Sequence, residues 1–485
     1  MKRIDWSDTR NLTMLMDFYE LTMANGYMES GLEDISASFD MSFRRIPDDG
    51  GFAIMAGLEQ LIQNLKELKF EDEDIEFLRS KNLFSDKFLD YLWNFKFTCD
   101  VWAIPEGTPV FPNEPIVKVV GPIVEAQLLE TLVLVHINHQ SLIATKANRI
   151  VRAAQGRDVM EFGSRRAHGA DSAINGARAA YIAGCVGTSC VLSSKMFGIP
   201  ALGTMAHSWV QLFDTELDAF LAYARTFPGL CTLLVDTYDV LKSGIPNAIK
   251  AFEKEVVPRG FRPYAVRIDS GDIVQLSKKA REMLDEAGFE DCRIVASNSL
   301  DEYSIQEMLD KGACVDLFGV GERLITSASD SVFGGVYKLV AIRKNGEVIP
   351  KIKISETTGK INIPGVKELY RLYDKNTNMA LADVITLKGE EIDVTKPYEA
   401  YDIYEKDKKA VLKNFATRKL LTPIFEKGNC VYDSPNIEDI KSYCKQQVDT
   451  LNDTVKSLKN PGHYPVYLSP ALWQLKNELF EKKMV

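Results

Sequence analysis

Between Asn11 and Met28, apolar residues at positions 12, 15, 16, 18, 19 and 23 recur at near-helical spacing. The pattern predicts a helix rich in Met and Tyr, with Asn11 as its cap and Gly26 as its stop. Strict alternation from Ala37 to Phe43 predicts a strand that ends at Arg44 and Arg45. Gly50 and Gly51 then turn the chain into Phe52 and a helix reaching Leu68. The acidic run Glu71 to Asp74 is a solvated helix start, where negative charge meets the positive end of the helix dipole. From Phe97 to Pro122 short apolar runs are broken by prolines, the mark of edges and turns in an antiparallel unit. Residues 1–125 therefore predict an N-terminal β-rich α+β domain.

The periodicity changes after a long helical stretch from Glu125 to Ala154. Short apolar runs now alternate with helical patterns: Val159–Phe162, the neighbourhood of Val191, Pro200–Thr204, Leu233–Asp236, Ala265–Asp269, Arg293–Ala296 and Val315–Gly319. Each run is followed by Gly, Ser, Asp or Asn. That cadence is βαβ and predicts a parallel sheet. No G-x-G-x-x-G motif is present, so an irregular α/β barrel over 126–333 fits better than an open doubly wound sheet. From Gly334 strand-like text returns, including Lys351 to Ile354, and about 334–400 reads as completing the N-terminal unit. Residues 401–485 are charged and read as a C-terminal helical extension.

Bulk properties narrow the function. The 485 residues are 46% hydrophobic and 26% charged, enough for two or three domains with sizeable cores. A net charge of −10 argues against a nucleic-acid footprint. No apolar run approaches the roughly 20 residues that a membrane helix needs. The start, Met1 to Trp6, lacks the apolar core of a signal peptide. Eight cysteines show no C-x-x-C and no paired metal spacing, so they read as small core residues of a reducing cytoplasm.

The candidate chemistry lies just after the apolar runs, because residues following the strands of a barrel converge on one mouth. The first run leads to Phe162, Arg165, Arg166 and His168; the third to His207; the fourth to Asp236 through Asp239. The fifth leads to Asp269, Ser270, Gly271 and Asp272 and carries Arg267. The sixth leads to Ser297 and Asn298, and the seventh to Gly319 and Gly321. Arginines with glycine turns hold anions, and Asp269 with Asp272 can hold Mg²⁺ or sugar hydroxyls. An aromatic ring beside an arginine can stack a planar anion. Taken singly each has a plain structural reading: Arg-Arg as a surface pair, Asp-Ser-Gly-Asp as a turn, and His207 as a turn-capping imidazole. Their shared position after successive strands favours a site for a phosphorylated sugar, a magnesium ion and an aromatic acid.

Asp17 to Ala24, Glu161 to Gly169, Gly203 to Ser208, Val235 to Tyr238 and Arg267 to Asp272 together resemble nicotinate phosphoribosyltransferase. They occur in that family's order and span most of the chain. The resemblance implies a homodimer with shared sites that joins nicotinate to 5-phosphoribosyl 1-diphosphate, with ATP hydrolysed and Mg²⁺ present. It implies that His207 is transiently phosphorylated, that Phe162 stacks on the pyridine and that Tyr19 of the partner subunit closes the sandwich. Arg267 would meet the nicotinate carboxylate and the ribose, Asp269 the ribose hydroxyls, and Arg165 a phosphate. Thr204 would line the nicotinate pocket, while Ser297, Asn298, Gly319 and Gly321 would hold the 5-phosphate.

Related nicotinamide enzymes place an aspartate where this chain has Ser189, so the acid is the expected substrate rather than the amide. The competing readings are an ATP-independent relative acting on quinolinate or nicotinamide, a catalytically silent sugar-phosphate sensor, and a scaffold. A silent sensor would be expected to have lost His207 or the Asp269/Asp272 pair, and this chain keeps all three.

Overall fold

The computed structural model describes residues 11–354, 361–405 and 408–484; the start of the chain read above, Met1 to Trp6, lies outside them. The chain divides into two compact units, residues 1–141 with 332–485, and residues 142–331. The long helix Glu130–Ala153 carries the chain across the first division.

In the first unit the strand Ser36–Phe43 forms as expected and takes the centre of a seven-stranded sheet. It pairs antiparallel with Gly335–Lys344 on one side and Val117–Pro122 on the other. The return of the chain near Gly334 thus completes this sheet. Thr422–Glu426 joins it too, against Asp100–Ala103. A second, six-stranded sheet contains Lys367–Asp374 and Ala380–Leu387. At its centre the Arg371 fork donates 2.8 and 2.6 Å bonds to Asp383, which also accepts from the Tyr464 hydroxyl at 2.9 Å. All three are buried, and that pairing is what makes their charges tolerable in the core.

The expectations fail here in specific ways. The first helix is Phe18–Glu29, with Asp17 at its N-cap; Asn11 instead accepts from the Thr13 N–H (2.9 Å). Gly26 stays inside the helix, and the chain turns only at Gly31, whose φ of +64° suits a residue without Cβ. The helix placed between Phe52 and Leu68 is shorter, Leu58–Lys66. Lys351 to Ile354 form no strand. Residues 401–485 are not simply helical: they carry strands such as Phe415–Lys419 and Val466–Leu468 beside the helices Ile437–Asp449 and Pro470–Met484. Charged alternation on a half-buried sheet looks like a polar helix when only composition is read.

The second unit is a six-stranded parallel sheet in the order Gly187–Thr188, Asp158–Glu161, Leu317–Val320, Arg293–Ser297, Ala265–Ile268, Thr232–Leu234. The first strand of this unit, Asp158–Glu161, neighbours the last, Leu317–Val320. Apart from that pairing, neighbours in the sheet are consecutive in the chain. One bridge, Thr188 to Ala201, extends the sheet at one edge; among the described residues no pairing joins that segment to Thr232–Leu234. Mixed α/β architecture with parallel strands is established, and the pairings stop short of a closed barrel. Two expected strands differ. Val191 begins a helix, Val191–Phe197, and the strand beside it is only Gly187–Thr188. Pro200 to Thr204 contributes only the Ala201 bridge.

Met160, Ala265, Val295 and Leu317, from four neighbouring strands, form one core cluster, with Phe162 and Leu202 packed against it. The helix Ile273–Glu286 buries Ile273, Ser277, Ala280 and Leu284, a stripe at spacings of four and three. Lys146 and Arg149 converge on the buried Glu302, at 2.9 and 2.8 Å, and tie the end of the long helix to Glu302–Asp310.

Candidate active site

Parallel strands aim their carboxyl ends at one edge, and the second unit places its polar residues there. Arg267, on the Ala265–Ile268 strand, is the hub. Its Nε donates to Ser297 Oγ (2.9 Å), and its terminal nitrogens donate to Thr204 Oγ1 (3.1 Å) and Asp269 Oδ1 (3.1 Å). Ser297 also donates to Asp269. Two neighbouring strand ends and the turn that carries Thr204 are thereby locked into one network. The Arg267 guanidinium lies 5.9 Å from the centre of the Phe162 ring.

Phe162 itself is seated by its surroundings. A Cβ on Gly319 would come within 2.7 Å of the ring, so only glycine leaves it room. A Cβ on Gly321 would sit 3.3 Å from the Phe162 carbonyl oxygen. Glu161, fully buried, accepts from the Gly163 N–H and from the Thr188 hydroxyl at 2.5 Å. Burial pushes the Glu161 carboxyl above its usual range, and these hydrogen bonds pull the other way.

His207 opens the short helix His207–Gln211, at the end of a non-strand turn from Leu202. Its Nδ1 is 3.2 Å from the Thr237 hydroxyl and its Nε2 is 4.0 Å from Asp236 Oδ1. The ring is 42% exposed while the Asp236 side chain is 1% exposed. Asp236 Oδ2 accepts from the Asp269 N–H (3.0 Å) and the Ser270 hydroxyl (2.6 Å). Its Oδ1 is buried without a hydrogen bond, leaving one carboxylate oxygen directed at the imidazole. The His207 imidazole and the Arg267 network are thus linked through Asp236, which faces the imidazole and accepts from the Asp269 N–H, and Asp269, which accepts from Arg267.

Other candidates stand differently. Asn298 and Ser299 adopt φ of +96° and +36°, a backbone that L-residues enter only when the surroundings impose it. Ser189 donates its N–H to the Glu161 carbonyl (2.9 Å). Asp272 caps the helix Ile273–Glu286 by accepting from the Gln275 N–H (3.2 Å). Arg165 is exposed on the turn Ser164–Arg166, and Arg166 is 3.8 Å from Glu322. Tyr19 belongs to the first unit, exposed on its helix, and burial together with Glu130 raises its hydroxyl pKa.

Asp236 and Thr237 stood among the strand-end candidates and Glu161 in a motif run, but none of the three had a role assigned from the sequence. All three lie at or just past strand ends, which was the available signal. Their burial was not visible in the sequence.

Asp269 and Asp272 each spend one oxygen on the protein. Among the described residues no group of three or more His, Cys, Asp or Glu is placed to hold a metal. The donor set fits Mg²⁺ only in its frequent form, with one or two carboxylates and the remaining oxygens from substrate phosphates and water.

A parallel sheet whose strand ends gather guanidinium, hydroxyl, carboxylate and imidazole groups beside an aromatic ring defines an α/β enzyme for anionic substrates. Comparison with known proteins makes this particular. Residues 14–138, 158–363 and 366–476 match the N-terminal domain, the family model and the C-terminal domain of nicotinate phosphoribosyltransferase. A nicotinate phosphoribosyltransferase of Bacillus subtilis is 41% identical, over 96% of this chain and 94% of that one. One from Mycobacterium tuberculosis is 39% identical, over 95% and 92%. The crystal structure of human nicotinic acid phosphoribosyltransferase superposes with a TM-score of 0.83 at 28% identity, covering 96% of this chain and all of that one. The chain belongs to the nicotinate phosphoribosyltransferase family and is an enzyme of that kind.

Proposed function

We propose that the chain transfers the 5-phosphoribosyl group of 5-phosphoribosyl 1-diphosphate to nicotinate, giving nicotinate mononucleotide and diphosphate in NAD biosynthesis. The transfer is coupled to ATP hydrolysis through phosphorylation of His207. The observation that carries this reading is the shared network: Arg267, Asp269 and Ser297 on one side of Asp236, and His207 on the other.

In this reading the pyridine lies on Phe162 and its carboxylate meets Arg267 and Thr204. Ser189 presents no negative charge, so the acid is not repelled. Asp269 accepts from the ribose hydroxyls, and Ser297, Asn298, Gly319 and Gly321 hold the 5-phosphate, with Arg165 reaching a phosphate. The pyridine nitrogen attacks the ribose anomeric carbon as its bond to diphosphate breaks. Diphosphate carries away the electron pair. In the coupling step an imidazole nitrogen of His207 attacks the terminal phosphorus of ATP and ADP leaves; water later cleaves the N–P bond and releases orthophosphate. Asp236 favours the N–H-bearing nitrogen facing it, which leaves the lone pair on the other. Asp269 and Asp272 would hold Mg²⁺, which supplies charge neutralisation at the diphosphate.

The strand order supports an irregular barrel with this site at its mouth. A homodimer in which Tyr19 of one subunit completes the Phe162 sandwich of the other belongs to the same reading. The eight cysteines, all free, support a reducing cytoplasmic setting; among the described residues no helix is long and apolar enough to cross a membrane.

The test is mass spectrometry after incubation with ATP. Acid-labile phosphate on His207 is expected. Wild-type enzyme that shows no such adduct and no stimulation by ATP removes the coupling. Competition between nicotinate and nicotinamide tests the Ser189 argument, and a preference for the amide reverses it.

A further inference from the structure

A cavity of about 840 Å³ lies within the first unit, and none of its lining residues belongs to the strand-end site. Its volume falls within the range of small-molecule pockets, roughly 300–1,000 Å³. Strands Ser36–Phe43, Asp100–Ala103, Val117–Pro122 and Gly335–Lys344 of the seven-stranded sheet form its floor. Val366, Leu387 and Leu475 give it an apolar wall.

Its charge is unusual for a chain of net charge −10. Lys118, Lys388 and Arg343 line it, against the single carboxylate of Asp100, which already accepts from the Lys427 N–H at 2.7 Å. Lys118 and Lys388 both reach the Trp102 indole, with their ammonium nitrogens 4.3 and 5.7 Å from the ring centre. The Lys118 ammonium is buried, with the residue only 3% exposed, and its one hydrogen bond goes to the neutral carbonyl of Lys367 at 3.0 Å. No carboxylate pairs with Lys388 or Arg343 among the described residues. Ser38 adds a buried hydroxyl without a hydrogen-bond partner. A buried ammonium without a paired anion is costly, and an anionic ligand relieves that cost. Consistent with this, burial lowers the Lys118 pKa to about 8, with Asp40 and Glu368 opposing the shift and Lys388 and Lys419 adding to it.

We infer that this cavity is a second ligand site, for a small organic phosphate with a flat apolar body. Its phosphate is held by Lys118 and Lys388 beside Trp102, Arg343 adds positive charge along the same wall, and its body rests against Val366 and Leu387. The site is separate from the strand-end network, so it does not depend on the transferase reading.

Binding of AMP to the full chain, followed by tryptophan fluorescence and calorimetry, tests it. Ribose 5-phosphate supplies the phosphate without the flat body, and adenosine supplies the body without the phosphate. The expected result is saturable AMP binding, weakened at least about 10-fold in the exposed double variant Lys388→Ala/Arg343→Ala and preserved in Arg267→Ala. Trp102→Phe should remove the fluorescence change but keep the calorimetric signal. Equal binding of adenosine overturns the anion site, and equal binding of ribose 5-phosphate overturns the flat body. Absence of binding at millimolar AMP overturns the inference, as does loss in Arg267→Ala with retention in the double variant.

Discussion

Arg267 makes hydrogen bonds in three directions, to Ser297, Thr204 and Asp269. A lysine keeps the charge but offers a single ammonium in place of a rigid planar fork. Losing one charged hydrogen bond costs about 2 kcal/mol, or roughly 30-fold in kcat/KM. Arg267→Lys should therefore lower kcat/KM for nicotinate by about that factor while circular dichroism stays unchanged. An unaltered kcat/KM would mean that the fork has no part in the reaction. Gly319→Ala probes the same pocket sterically, because its Cβ meets the Phe162 ring at 2.7 Å. The KM for nicotinate should rise by more than the KM for 5-phosphoribosyl 1-diphosphate. Equal changes in both would show that Phe162 does not carry the pyridine. His207→Ala should lose ATP stimulation and keep weak basal transfer; stimulation that survives the substitution would place the coupling elsewhere.

At the scale of elements, the helix Phe18–Glu29 is docked through a buried acid. Glu20 is fully buried and accepts from the N–H groups of Asp17 and Thr131, both at 3.2 Å, and from the Thr131 hydroxyl. Its second oxygen has no partner. Burial raises its pKa to about 7, against the Thr131 and Asp17 hydrogen bonds that favour the carboxylate. The sign follows from linkage. Between pH 4.5 and 7 the folded state keeps a proton that the unfolded state releases, so stability falls as pH rises through that window and levels off above it. The shift corresponds to roughly 3 kcal/mol. Relative to Glu20→Gln, the wild type should lose thermal stability steadily across that window. Parallel melting-temperature curves for the two proteins would refute it. The periodicity of this helix was readable in the sequence, but its ends were not: Asp17, rather than Asn11, sits where its N–H meets Glu20.

At the scale of the molecule, Tyr19 lies in one unit and Phe162 in the other, and the proposed sandwich takes its two rings from different subunits. Mixing Tyr19→Ala with His207→Ala protein tests this directly. A hybrid dimer has one site with both wild-type residues. After random reassortment about a quarter of wild-type coupled activity should return, since half of the dimers are hybrids and half of their sites are intact. If each subunit builds its site alone, the mixture gains nothing over its parents.

The sequence by itself determined five of the six parallel strands and the residues that follow them, because alternation, run length and turn residues are local properties. It also carried the motif set through which Phe162, His207, Arg267 and Asp269 were found. Tertiary structure alone decided which of those residues meet. Arg267 and Ser297 are thirty positions apart and touch only because their strands are neighbours. The same holds for the burial of Asp236 behind His207 and of Glu161 behind Phe162, since solvent exclusion is set by distant segments. The C-terminal strands were misread for that reason too: Thr422–Glu426 becomes a strand by pairing with Asp100–Ala103, more than three hundred residues earlier, and nothing local announces that partner.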